Sequence, residues 1–137
     1  MKVKLDQHGL MPVRAHKTDA GLDILSPLSF EIPRGWFKVI ETGVHVQLPP
    51  GTVGVLKSKS GLSTRLDLHT IDGVIDEQYT GEIAVKLHNA GSGTVHFRRG
   101  EKLTQLVIVP CLTPELELVD KLEETERGDS GFGSTGR

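Results

Sequence analysis

Apolar residues in this chain recur at every second position, in short runs closed by Gly or Pro. Val44, Val46 and Leu48 alternate with His45 and Gln47 and stop at Pro49-Pro50-Gly51. Leu28, Phe30 and Ile32 alternate with Ser29 and Glu31 between Pro27 and Pro33. Ile83, Val85 and Leu87 alternate with Glu82, Ala84 and Lys86 and end near Asn89-Ala90-Gly91. Val95 and Phe97 flank His96, and Leu116 and Leu118 flank Glu117. Side chains two apart share one face of a strand, so this period buries one face and wets the other. The run Leu106-Val107-Ile108-Val109, stopped by Pro110, reads as a buried strand. The best helical candidate is Ser60 to Leu68, with Leu62, Arg65 and Leu66 at helical spacing and Ser60 as a candidate cap. The expected class is all-β, a distorted jelly-roll-like barrel with one short helix at most.

At 137 residues the chain fits one domain with its own core. No internal repeat or interdomain linker is visible. Composition shifts at the end: residues 1–122 read as the barrel domain, and 123–137 as a flexible arm whose one large apolar residue is Phe132. Sixteen basic and eighteen acidic residues nearly cancel. That balance gives no surface for coating nucleic acid and no polybasic membrane patch. The first residues lack a signal-peptide apolar core, and no apolar run reaches bilayer length. Cys111 is the only cysteine and reads as a half-buried apolar residue at a strand end. A cytoplasmic setting is consistent with that. The six histidines show no metal-ligand spacing.

Three segments concentrate chemistry. Asp72, Asp76 and Glu77 surround Gly73, ahead of Tyr79 and Gly81. They read either as solvated turn acids or as carboxylates able to hold and polarise a water, with Val74 and Ile75 supplying an apolar wall. Lys57-Ser58-Lys59-Ser60-Gly61 offers amines, hydroxyls and a glycine at a helix start, either a solvated basic turn or a cradle for phosphate. It is not a Walker loop, because no spaced glycine precedes a Gly-Lys-Ser/Thr. In the tail, Gly131, Gly133 and Gly136 match the dinucleotide glycine spacing, but the strand–turn–helix context is missing. A Gly-rich phosphate-binding arm, with an arginine for charge and a ring for stacking, is what remains.

Together these segments resemble the five ordered motifs of the trimeric dUTP diphosphatase (dUTPase) family. The matching stretches are Ala15–Ile24, Lys59–Ser63, Gly73–Gly81, Gly100–Leu106 and Arg127–Gly136. The resemblance implies a jelly-roll-like homotrimer whose active sites lie between subunits, each closed by the C-terminal arm of a neighbour. It implies hydrolysis of dUTP to dUMP and pyrophosphate, with Asp76 holding the water that attacks the α-phosphorus. Main chain from Thr70 through Gly73, Val74 and Ile75, and near Ala84, would read uracil, and Tyr79 would pack under the deoxyribose. Lys59, Ser60, Gly61 and Gln105 would contact the phosphates. Mg²⁺ would be held by triphosphate and water, with Asp23 touching only its water shell. Arg127 would reach the terminal phosphate, Phe132 would stack on uracil, and Gly133, Ser134 and Thr135 would add phosphate contacts. Two positions depart from the family pattern. Lys59 stands where Arg is usual, giving charge without a planar fork, and Asp72 lies beside the uracil pocket, where a small or neutral residue is usual.

Alternative readings are a dCTP deaminase or bifunctional deaminase of the same superfamily, and a non-catalytic nucleotide-sensing barrel. The deaminases carry a catalytic Glu on the strand after the third motif, and the matching residue here is Lys86.

Overall fold

The computed structural model describes residues 1–71, 73–126 and Gly128. Expectations placed on Asp72, Arg127, Phe132, Gly133, Ser134 and Thr135 lie outside the described residues. Among the described residues, ten strands and one helix follow in chain order: β1 Lys2–Leu5, β2 Gly21–Leu25, β3 Phe30–Ile32, β4 Phe37–Gln47 and β5 Thr52–Lys57, then α1 Ser60–Leu66, then β6 Leu68–Ile71, β7 Gly73–Ile75, β8 Glu82–Asn89, β9 Val95–Phe97 and β10 Lys102–Pro110. One sheet runs β1-β4-β8-β6, a second runs β2-β10-β5-β7, and β3 pairs with β9. Every named strand pair is antiparallel. The all-β, jelly-roll-like expectation holds, as does the single short helix.

The alternation explains the core. Ile83, Val85 and Leu87 of β8 face inward with Ile40, Val44 and Val46 of β4, against Ile24, Leu56 and Leu106 of the other sheet. Each such side chain contributes about 1.5–3 kcal/mol by leaving water. Continuing the inward face of β8, the side chain of Asn89 donates to the carbonyls of Ile32 and Gly93, both at 2.8 Å, and accepts from Gly91 N–H at 3.0 Å. That satisfies a polar group buried among apolar neighbours. Gly54 has no side chain because Ile75 and Leu106 pass over it; a Cβ there would lie 3.1 Å from Ile75 Cβ and 2.9 Å from Leu106 Cδ1.

Several local expectations change. Ser60 is the first helical residue rather than the cap. Lys59 takes the extended N-cap position, and no side chain caps the helix. The helix stops at Leu66 because Asp67 turns left-handed (φ 51°), which frees Leu68 to begin β6. Strand β3 starts at Phe30, leaving Leu28 exposed. Leu106 is buried, but Val107, Ile108 and Val109 are half-covered. Cys111 is exposed just past β10. No strand forms at Leu116–Leu118: Leu112, Leu116 and Leu118 are 92%, 98% and 100% exposed. This alternating apolar stretch pairs with no described strand and stays exposed within one chain.

Candidate active site

The first, second and fourth sequence motifs converge on one buried carboxylate. Asp23 on β2 lies opposite Gln105 of β10 and is locked to Val13 by two backbone hydrogen bonds of 2.8 and 3.0 Å. Its side chain is 7% exposed. It accepts from Lys59 Nζ on one oxygen and from Lys102 Nζ at 2.7 Å on the other. Burial raises the Asp23 carboxyl, but the hydrogen bonds and charges of Lys102 and Lys59 outweigh it, and the net shift is downward.

A carboxyl depressed in the folded state adds stability above its ordinary range, and loses it as pH falls through the folded value. Asp23→Asn is therefore expected to cost about 1–3 kcal/mol at neutral pH, the lower end reflecting the partly open lysines. Thermal melts should show the two proteins converging in acid. An equal gap at neutral and acidic pH would contradict this assignment.

Lys59 opens α1. Its carbonyl accepts from Leu62 and Ser63 N–H at 3.0 and 2.9 Å. Ser60 and Gly61 are exposed, and no atom lies within 4 Å of where a Gly61 side chain would stand, so another group can approach that backbone closely. A cavity of about 660 Å³ opens here, with Lys59, Gly61, Arg65, His96 and Lys102 among its lining. Lys102 follows the Gly100 turn (φ 87°), in which Ser26 N–H donates to Glu101 O at 2.7 Å and Gly100 N–H to Ser26 O at 2.8 Å.

Gln105 is aimed by its neighbours. Its amide donates to Ser58 O at 3.1 Å, and its Oε1 lies where a side chain on Gly21 would stand. Ser58 Oγ accepts from Thr70 N–H at 2.9 Å. Thr70 Oγ1 donates to Thr104 Oγ1 at 2.9 Å, and that hydroxyl donates to Lys57 O at 2.8 Å. Thr70 is thus bonded inward through both its hydroxyl and its N–H. Ser58 belongs to the stretch read as a phosphate cradle, whereas no individual role was expected for Thr104 and Lys102, which bond Lys57 O and Asp23 respectively.

The third motif lies elsewhere on the barrel. Strand β7 pairs with β5 in the register Gly54↔Ile75, Val55↔Val74 and Leu56↔Gly73. Ile75 turns inward, while Val74 is 65% exposed. The apolar wall expected around Asp76 is therefore supplied on one side only, and Asp76 itself is exposed. Tyr79 N–H donates to Asp76 O at 3.0 Å, Tyr79 Oη donates to Glu82 O at 2.9 Å, and Glu77 accepts from Gly51 N–H at 2.8 Å. The Tyr79 ring folds over Gly81, where a Cβ would meet it at 2.5 Å. Continuing the register places Asp76 beside Val53, whereas Lys59 lies two residues past Lys57, the other end of β5. The two halves are about 14 Å or more apart along one chain, from the rise per strand residue.

Ala84 and Lys86 lie on the exposed face of β8, and Lys86 Nζ sits 4.4 Å from the Phe37 ring centroid. The amine at the deaminase position is thus spent on an aromatic face.

The dUTPase family model matches residues 7–136. The chain belongs to the dUTPase family. A deoxyuridine 5'-triphosphate nucleotidohydrolase of Gloeothece citriformis is 39% identical over 135 residues, covering 97% of this chain and 93% of that protein. Among solved structures, the Staphylococcus bacteriophage 80alpha dUTPase with dUPNHPP superposes at a TM-score of 0.93 with 36% identity, covering 99% of this chain and 98% of that one. A dUTPase variant from phage phi11 of S. aureus, described as revealing the coordination of a structural Mg(II) ion, aligns at 0.83 with 35% identity, covering 90% of this chain and 98% of that one. Family membership agrees with what the motif order implied.

Proposed function

We propose that this dUTPase-family chain hydrolyses dUTP to dUMP and pyrophosphate in sites built between copies of itself, a homotrimer by family resemblance. The observation that carries this reading is the cationic cluster of Lys59 and Lys102 on Asp23, beside the open backbone of Gly61 and the fixed amide of Gln105. Such a cluster suits a polyanion, because two ammonium groups parked on one carboxylate can turn to phosphate oxygens. Asp76 stands too far along β5 to serve that cluster within one chain, so a second copy supplies it.

In this reading Asp76 accepts a proton from the water that attacks the α-phosphorus, and pyrophosphate leaves. Tyr79, held by Glu82 O and Gly81, forms the floor under the deoxyribose. Main chain at Gly73, Val74, Ile75 and Ala84 reads the uracil edge, where a wrong base would leave polar groups unpaired. Thr70 contributes from beneath, by holding Ser58. Lys59, Ser60, Gly61 and Gln105 bind phosphate.

The residues present fit Mg²⁺ held by the substrate. Both oxygens of Asp23 are taken by lysines, and no three His, Cys, Asp or Glu gather among the described residues, which therefore offer no direct ligand set. The ion supplies charge neutralisation on the triphosphate. Asp23 reaches its water shell once a lysine has turned to phosphate.

The barrel spans residues 1–122 and the arm 123–137. Arg127, Phe132, Gly133, Ser134 and Thr135 close over a neighbour's site, and the exposed Leu112, Leu116 and Leu118 lead the chain to that neighbour. A cytoplasmic setting accords with the free thiol of Cys111. Neither nucleic acid nor membrane is a partner in this reading.

The test is product analysis across dUTP, dCTP, dTTP and UTP with Mg²⁺. The expected products are dUMP and pyrophosphate from dUTP alone. Ammonia released from dCTP would overturn the assignment.

A further inference from the structure

The loop that carries Asp76 and Tyr79 is tied to the barrel at its far end by His45. This histidine sits on β4, just past the shift in β4–β8 register between Glu41 and His45. Its side chain is 15% exposed. Nδ1 lies 2.9 Å from the Thr80 carbonyl oxygen, and Nε2 lies 3.0 Å from Asp6 Oδ2. A carbonyl and an ionised carboxylate only accept, so a ring bonded to both carries a proton on each nitrogen.

The charged groups around the ring come from β1, the turn that follows it, and β8. Lys4 of β1 lies opposite it in register and pairs with Asp6 at 3.1 Å. Glu82 of β8 lies opposite it on the other side. The Glu82 carboxylate accepts from Gly43 N–H at 2.6 Å and stands 3.6 Å from His8 Nε2. The hydrogen bond to Asp6, then that to Thr80, raises His45 above the ordinary histidine value, against partial burial and the charge of Lys4.

We propose that His45 is a positioning residue for the nucleotide site, fixing the Asp76–Gly81 loop through its Nδ1–H bond to Thr80, and doing so only as the imidazolium. The proposal rests on reading that loop as half of a dUTP site. When the ring loses one proton, it keeps the stronger, charge-assisted bond from Nε2–H to the Asp6 carboxylate. Nδ1 then presents a lone pair to the Thr80 oxygen, and the loop keeps only its ties through Glu77 to Gly51 and Tyr79 to Glu82. Tyr79, one residue away, is then positioned by its own bonds to Glu82 O and Asp76 O alone. The cost falls on nucleotide binding, because the Tyr79 ring packs against the sugar before any bond is broken.

The sign follows from the raised value. The tie is present below the ordinary histidine range and is lost as pH rises through the folded value. Two substitutions separate this from a merely structural role. His45→Gln places a neutral amide donor near the Thr80 carbonyl at every pH. Asp6→Asn supplies an amide N–H for the Nε2 lone pair, so even the neutral ring can keep its proton on Nδ1 and hold Thr80.

The experiment measures KM and kcat for dUTP from about pH 6 to about pH 9 for the intact oligomer with Mg²⁺, together with the ¹⁵N shifts of the His45 ring. The wild type should show KM rising about three- to tenfold at the midpoint of the ring titration, with kcat changing less. Both variants should lack that rise, which also removes ionisation of the substrate as its cause. Coincident profiles for all three proteins, or a neutral His45 ring at the acid end, would overturn the proposal. No dUTP turnover by the wild type at any pH would overturn the reading of the site and the proposal with it. That outcome is distinct from failure of the proposal alone, in which the wild type turns over dUTP.

Discussion

Asp76→Asn is expected to lower kcat for dUTP by about 100- to 10,000-fold, the range for loss of a positioned general base. Nucleotide affinity should stay near the wild-type value. The substitution removes the charge and the proton acceptor but retains shape. The Asp76 backbone carbonyl, which accepts from Tyr79 N–H at 3.0 Å, is unaffected. Tyr79 and Ile75 therefore keep their places: the first is held through its hydroxyl by Glu82 O, the second is packed over Gly54. Single-turnover kinetics separate binding from chemistry. Unchanged turnover would show that another group activates the water, and a parallel loss of binding would show that Asp76 holds substrate rather than water.

Much of this was legible in the chain. Alternation located the inward faces of β4, β8 and β9 because one face of each is buried and the period of two is strict. It failed at Leu116 and Leu118, where the same pattern has no neighbouring strand within the chain. Pattern reports what a segment could bury, not whether a partner is present. The start of α1 was misplaced by one residue because Ser60 has the chemistry of a cap, while the backbone of Lys59 takes the cap position without a side-chain bond. Val74 was read as a wall for Asp76, yet its strand position turns it outward, opposite to Ile75.

For the site, order along the chain was enough to nominate Asp23, Lys59, Gln105 and Asp76. It was not enough to show that Lys59 and Lys102 both bond Asp23, since β2, the start of α1 and β10 meet only in the folded sheet. The holding roles of Ser58, Thr104 and His45 were not legible for a related reason. Each acts by holding another residue, and such roles depend on distance rather than on residue type. The Lys59 departure also takes on a physical meaning. With its ammonium on a buried carboxylate, it behaves as a movable point charge, where a guanidinium would form a planar fork.

By register Asp76 lies beside Val53, while Lys59 follows Lys57, so the two flank opposite ends of β5, about 14 Å apart along the strand. In the proposed reading, a catalytic base within hydrogen-bond reach of a water on the α-phosphorus comes from another copy, as symmetric assemblies allow. This makes an experiment with two inactive proteins decisive. Asp76→Asn removes the base but leaves the cradle; Lys59→Ala weakens the cradle but leaves the base. Each homo-oligomer should be nearly inactive. Mixed in equal amounts, unfolded and refolded together, they should form some sites with an intact Asp76 from one copy and an intact Lys59 from another. Random assembly sets the expected recovery at about one quarter of wild-type activity, the product of two independent halves. The account predicts that recovery on dUTP. Mixed oligomers no more active than the two variants measured separately would contradict a site shared between chains.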